Sequence, residues 1–178
     1  MQMQRREGAP QRGVSGEGFR MREQQPERRG SIVVALVGIP SAEIDTAVSV
    51  FVDKGYIPFK VDNKRTAIAR IEQGPDVGAR RVSAAIKALE ETRGPLKAVV
   101  QLDHPADVTW LQDKGAGVIG VTPSNEAPPP QIDPLTTLEE FRDRHKECLK
   151  LADVVVNDTR DFAQTLYEKI KSLEEQKN

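Results

Sequence analysis

SIVVALVGIPSAEIDTAVSVF, residues 31–51, is the stretch whose reading decides the fold. Ile32 to Val37 is an unbroken apolar run rich in β-branched residues, the pattern of a strand covered on both faces. Gly38-Ile39-Pro40 ends the run. Ser41 then stands where a helix cap belongs. Ile44, Val48, Phe51 and Val52 fall on one face of the helix that follows.

Outward from this stretch, strand and helix patterns alternate to the end of the chain. Further strands are predicted at Tyr56 to Val61, Leu96 to Leu102, Val118 to Val121 and Asp153 to Val156. A short helix runs toward Glu72, and a longer one follows Gly74-Pro75-Asp76 with Val82, Ile86 and Leu89 on its apolar face. Pro105 suits the first turn of the next helix, which turns Val108 and Leu111 to the core. Thr122 to Pro134 is a loop stiffened by Pro128-Pro129-Pro130. Thr136 or Thr137 caps a helix whose apolar side carries Leu138, Phe141, His145, Cys148 and Leu149. The last helix presents Phe162, Leu166, Ile170 and Leu173. This alternation predicts an α/β fold of three layers, a five-stranded parallel sheet with helices on both faces. In such folds ligands bind at the carboxyl ends of the strands. The loops starting at Gly38, Asp62, Asp103 and Thr122 are therefore expected to face one cleft.

Composition narrows the function classes. A net charge of −1 gives no global attraction to nucleic acid or an anionic membrane. No apolar run approaches the ~20 residues that span a bilayer, and no apolar leader stands at the N-terminus, so a cytoplasmic protein is expected. The single cysteine, Cys148, excludes an internal disulfide, and two histidines, His104 and His145, argue against a zinc centre. Residues 1–30 carry seven arginines and four glutamates with one aromatic, Phe19. That composition buries too little to offset ordering entropy, so a disordered tail is predicted ahead of one domain over 31–178.

Strand, glycine-bearing turn and helix is also the layout of a phosphate-binding loop, in which free N–H groups and a helix N-terminus meet an anion. The segments resemble the small P-loop nucleotide kinases, on the branch of archaeal AMP or dNMP kinase-like proteins and dephospho-CoA kinases. Gly38-Ile39-Pro40 followed by Thr46 resembles the family's G-x-P-G-[AS]-G-K-[ST]-[ST]. Lys54-Gly55-Tyr56 resembles its KGY, and Asp62-x-x-Arg65 its D-x-x-R. Gly74-Pro75-Asp76 through Val82 resembles its GPD-x-x-A-x-R-V. Pro105-Ala106-Asp107-Val108 resembles its P-x-E-V, and Asp153 to Asn157 its AD-x-x-I-x-N. The resemblance implies a P-loop NTPase-like fold. It places Gly38, Pro40, Ser41, Thr46 and Asn157 at a nucleotide, and Arg65 with Asp62 at the acceptor's phosphate. From the residues alone, Asp62 reads equally as a helix cap.

The departures bear on activity. Ile44 and Asp45 stand at the positions of the family's phosphate-contacting lysine and magnesium-holding hydroxyl, while Ser41 and Glu43 replace two glycines. Asp103 stands where the third-strand loop carries an arginine, and residues 122–134 contain no lysine or arginine. Phosphoryl transfer rests on positioning and cationic stabilisation. The expectation is a degenerate, non-catalytic kinase-like protein that binds or regulates. The alternatives are an active nucleotide or dephospho-CoA kinase with an unusual donor site, and a nucleotide sensor working through Arg65. ATP and magnesium enter only under the active reading, and no other cofactor is implied. The expected partners are a small nucleotide or phosphorylated ligand, a protein partner or a second copy of the chain. Asp103-His104 reads as a polar turn at a helix entry, and His145 as a core or boundary residue.

Overall fold

The computed structural model describes residues 30–39, 42–122, 135–157 and 162–177. The tail over 1–29, Pro40, Ser41, the proline-rich loop and Asp158 lie outside them. Among the described residues there are eleven elements, and Ser31–Gln176 forms one compact unit. The strands are β1 (Ile32–Val37), β2 (Ile57–Lys60), β3 (Lys97–Leu102), β4 (Gly117–Thr122) and β5 (Val154–Asn157). The helices are α1 (Ala42–Asp53), α2 (Asn63–Gln73), α3 (Val77–Arg93), α4 (Pro105–Asp113), α5 (Leu138–Leu151) and α6 (Phe162–Lys177). The strands make one sheet in the order β2-β3-β1-β4-β5, with every pairing parallel. The α/β prediction holds, with the most apolar strand at the centre of a five-stranded parallel sheet.

The alternation of side chains along β1 supplies both cores. Val34 and Leu36 pack with Ile44, Ala47 and Phe51 of α1 and with Leu166 and Ile170 of α6. Ala35 and Val37 point the other way, toward Val82 and Ile86 of α3, Val108 and Leu111 of α4, and Cys148 of α5. Val52 departs from the expected helix face and is 43% exposed, because it lies one residue round the helix from Phe51, beyond the stripe that meets the sheet. Leu138 is likewise exposed, in the first turn of α5. Thr137 is the cap of that helix: its hydroxyl accepts from the Glu140 N–H while Glu140 reaches back to the Thr137 N–H, a capping box.

A buried ion pair joins three helices on the second face. Asp107, in the first turn of α4, is fully buried. Its carboxylate accepts from Arg70 Nη2 of α2 at 2.7 Å and from the Ala79 N–H of α3 at 2.9 Å. Gly78 makes this approach possible, since a Cβ there would stand 2.6 Å from Asp107 Oδ2. Arg70 also donates to the Pro75 carbonyl, tying down the α2–α3 turn.

Removing one partner of such a pair strands a charge. Asp107→Ala is expected to lower the unfolding free energy by about 3–5 kcal/mol in urea denaturation, and replacing Arg70 and Asp107 together with apolar residues of similar volume by much less.

Candidate functional site

The site begins where β1 ends. Gly38 has φ +152°, a conformation that disfavours a side chain. A Cβ at this position would stand 2.4 Å from the Val121 carbonyl oxygen of β4 and 3.1 Å from Ile44 Cδ1. The turn thus passes directly against the neighbouring strand, and the Ile44 side chain folds back over it. Ile44 is only 3% exposed and belongs to the α1-side core. Glu43 and Asp45 lie in the first turn of α1, where carboxylates complement the helix dipole.

A cavity of about 50 Å³ opens between the carboxyl ends of β1, β2 and β3 and one side of α5. Gly38, Ile44, Lys60, Gln101, Asp103 and His145 are among the residues that line it. Lys60 and Gln101 are register partners at the ends of β2 and β3. Asp103 follows β3, with His104 Nε2 and Arg144 Nη2 each 3.7 Å from its carboxylate. Arg144 also donates to Thr136 Oγ1 at 2.9 Å, which fixes it along α5.

His145 closes the cavity from α5. Its ring is buried, and Nδ1 lies 2.9 Å from the Phe141 carbonyl one turn back. A carbonyl only accepts, so in this contact Nδ1 is the donor. Nε2 is buried and has no hydrogen-bond partner among the described residues. Burial lowers the pKa of the ring below 6.5, and Arg144 acts in the same direction; the Phe141 carbonyl, the Asp103 charge and the Gly38 backbone oppose the shift without reversing it. Cys148, one turn further along the same face, is pushed up to about 12 by burial and stays a protonated thiol that serves as packing.

The loops after β1, β2 and β3 do converge, but the residues singled out in the sequence divide. Gly38 lines the cavity. Asp62 caps α2, its carboxylate accepting the Arg65 N–H at 3.2 Å, and the Arg65 side chain is exposed with Nε 3.7 Å from Asp62. Neither residue is part of the cavity lining. Thr46 is exposed on α1, and Asn157 ends β5 opposite Thr122. Pro40 and Ser41 lie outside the described residues. The sequence predicts no role for Lys60 and Gln101, and it gives His145 as a core or boundary residue. A detectable signal is present: each is a polar residue interrupting an otherwise apolar strand or helix stripe.

Among the described residues, no group of three His, Cys, Asp or Glu side chains is placed to hold a metal ion, and no helix is long and apolar enough to cross a membrane. No family model matches the chain, and no curated protein does. Among solved structures it is similar to shikimate kinase from Bacteroides thetaiotaomicron, with 15% identity and a TM-score of 0.42 over 81% of this chain and 98% of that one. It is also similar to shikimate kinase from Acinetobacter baumannii in complex with shikimate, with 14% identity and a TM-score of 0.44 over 84% and 96%. Identity this low leaves the role of every residue to be argued from this chain.

Two outcomes are expected. Gly38→Ala destabilises the fold by more than about 1 kcal/mol in a denaturant titration, because both the dihedral and the space forbid a methyl group. The second concerns acid. As the pH falls below 6.5 the unfolded His145 ring takes up a proton that the folded ring, with its lowered pKa, does not. This contribution to stability is therefore intact above pH 6.5 and lost as the pH falls from there toward the folded value. His145→Gln removes that part of the decline, so its urea midpoint falls less than the parent's between about pH 7 and about pH 5.

Proposed function

We propose that this chain is a P-loop kinase-like protein that binds a small ligand at the carboxyl ends of its strands without transferring phosphate. Ile44 carries the reading. In the kinases that the sequence resembles, a lysine at this position reaches the transferred phosphate. Here the side chain is apolar, buried, and folded onto the Gly38 turn as part of the core. An anion seated in that turn would displace an isoleucine whose burial is worth about 1.5–3 kcal/mol, and would meet no cation in its place. The cations close by are differently engaged or differently placed. Arg144 faces Asp103, and Lys60 stands across the cavity at the end of β2. Transfer depends almost wholly on such charges, so their loss removes the reaction while the sheet and its cleft remain.

The test is a transfer assay with ATP-Mg as donor and AMP, a deoxynucleoside monophosphate or dephospho-CoA as acceptor, followed by phosphorus NMR. No product is expected, and sustained turnover would overturn the reading. The triple substitution Glu43→Gly, Ile44→Lys and Asp45→Ser is expected to raise ATP-Mg affinity in calorimetric titration, with thermal melting to confirm that the variant folds. If the parent binds a nucleoside monophosphate and Arg65→Ala abolishes that binding, the protein is a sensor working from α2 instead.

A further inference from the structure

Helix α2 carries its large apolar side chains on the outside. Its inner face is small or polar: Thr66, Ala67 and Ala69 are buried there, and Arg70 reaches Asp107 from the same side. Ile68 and Ile71 point away from the domain and are 57% and 72% exposed. A surface helix ordinarily turns such residues to the core and polar ones to water. The described residues include six exposed large hydrophobics, and α2 is the one helix that carries two of them. Three positions apart on one face, they form a continuous apolar strip. The Arg70–Asp107 pair and the small residues already seat α2, so the fold itself makes no use of the two isoleucines.

Charge frames this strip. Arg65 stands on the same face one turn before Ile68, and Glu72 one turn after it; both are exposed. Arg65 meets Asp62 of its own chain at 3.7 Å, a surface pair that leaves the arginine side chain 86% exposed. Along the helix the face is therefore positive, apolar, apolar and negative. Such an order is complementary to its own reverse. In a parallel pair of these helices Arg65 would face Arg65, and Glu72 would face Glu72. In an antiparallel pair, a two-fold axis between positions 68 and 69 sets each Arg65 opposite Glu72 of the second copy. The same axis brings the two Ile68 side chains within about 1.5 Å of each other along the helix direction, and each Ile68 within about 3 Å of Ile71 of the second copy. Asp62 falls beyond the Arg65–Glu72 contact, opposite Pro75. Identical patches that meet across a two-fold axis are the commonest way for one chain to form an oligomer.

We infer that this face of α2 is a docking surface for a second copy of the chain, packed antiparallel, with Ile68 and Ile71 interleaved and Arg65 paired to Glu72 across the axis. α2 has 11 residues, roughly 16 Å of helix. A contact of that length covers less than the ~800 Å² per partner of a standard interface. The dimer is accordingly reversible and forms as the concentration rises. None of the four residues lines the cavity, so the association requires neither a ligand there nor phosphoryl transfer.

Sedimentation velocity of the full chain, from about 5 µM to about 500 µM, tests the contact. The weight-average sedimentation coefficient is expected to rise with concentration and to fit a monomer–dimer equilibrium. Ile68→Asp sets two like charges at the axis and is expected to weaken the dimer about a hundredfold or more. Arg65→Glu and Glu72→Arg are each expected to weaken it about tenfold at low salt. The double variant Arg65→Glu/Glu72→Arg is expected to return the constant to within about threefold of the parent's. Urea denaturation of each variant checks that it folds, and its midpoint is expected to stay near the parent's because all of these side chains are exposed. A chain that stays monomeric throughout overturns the inference, whatever else covers the face. A dimer that Ile68→Asp leaves intact overturns it as well, and so does a dimer whose single charge reversals the double variant does not rescue.

Discussion

The Gly38 turn runs so close to the Val121 carbonyl that no side chain fits between them, and the site depends on that approach. It brings the end of β1 against β4 and sets where α1 begins. Ile44 is thereby directed back onto the turn and into the core, where it packs with Leu36, Ala47 and Phe51. In a phosphate-binding loop the same geometry serves an anion, since glycine lets the backbone come near and the helix end supplies N–H groups. In this chain the glycine is required by a neighbouring strand, and the space above it is taken by an alkyl group.

The other face of the sheet is organised by charge. Asp107 has no solvent exposure, yet it sits in the first turn of α4, where the helix N-terminus favours a carboxylate. Arg70 and the Ala79 N–H complete its shell, and Gly78 leaves room for them. A pair so deeply buried is costly to assemble and more costly to break. Its effect is to lock α2, α3 and α4 into one relative arrangement. α2 follows directly from β2, so the pair also limits how far the loop after Lys60 can move. Val61, in that loop, lines the cavity.

The cavity at the carboxyl ends of the strands is lined by groups of both signs. Asp103 and His145 are among the residues that line it. Positive charge is confined to Lys60 at the edge and to Arg144, which faces Asp103. A polyphosphate calls for cations and N–H donors at the inner wall.

The sequence by itself determined the order and type of every element. β1 is legible at the residues it occupies, because a short apolar run rich in β-branched residues and ended by Gly-Ile-Pro favours a buried strand. Five strands alternating with helices then required a parallel sheet covered on both faces. These inferences are local: periodicity, caps and turn residues act over a few positions. The site was only partly legible, because its decisive facts join residues far apart in the chain. Ile44 carried a visible apolar spacing, but only the fold showed that it lies on Gly38. His145 sat on a visibly apolar stripe, which correctly implied burial. Which of its nitrogens is spent, and that the other meets a cavity walled by residues 38, 60, 101 and 103, follows from the packing of α5 against the strand ends. Arg70 and Asp107 gave no sign of each other across 37 positions. Pairing between distant polar groups is settled by the space that tertiary packing leaves them, and helical or strand periodicity carries no record of it.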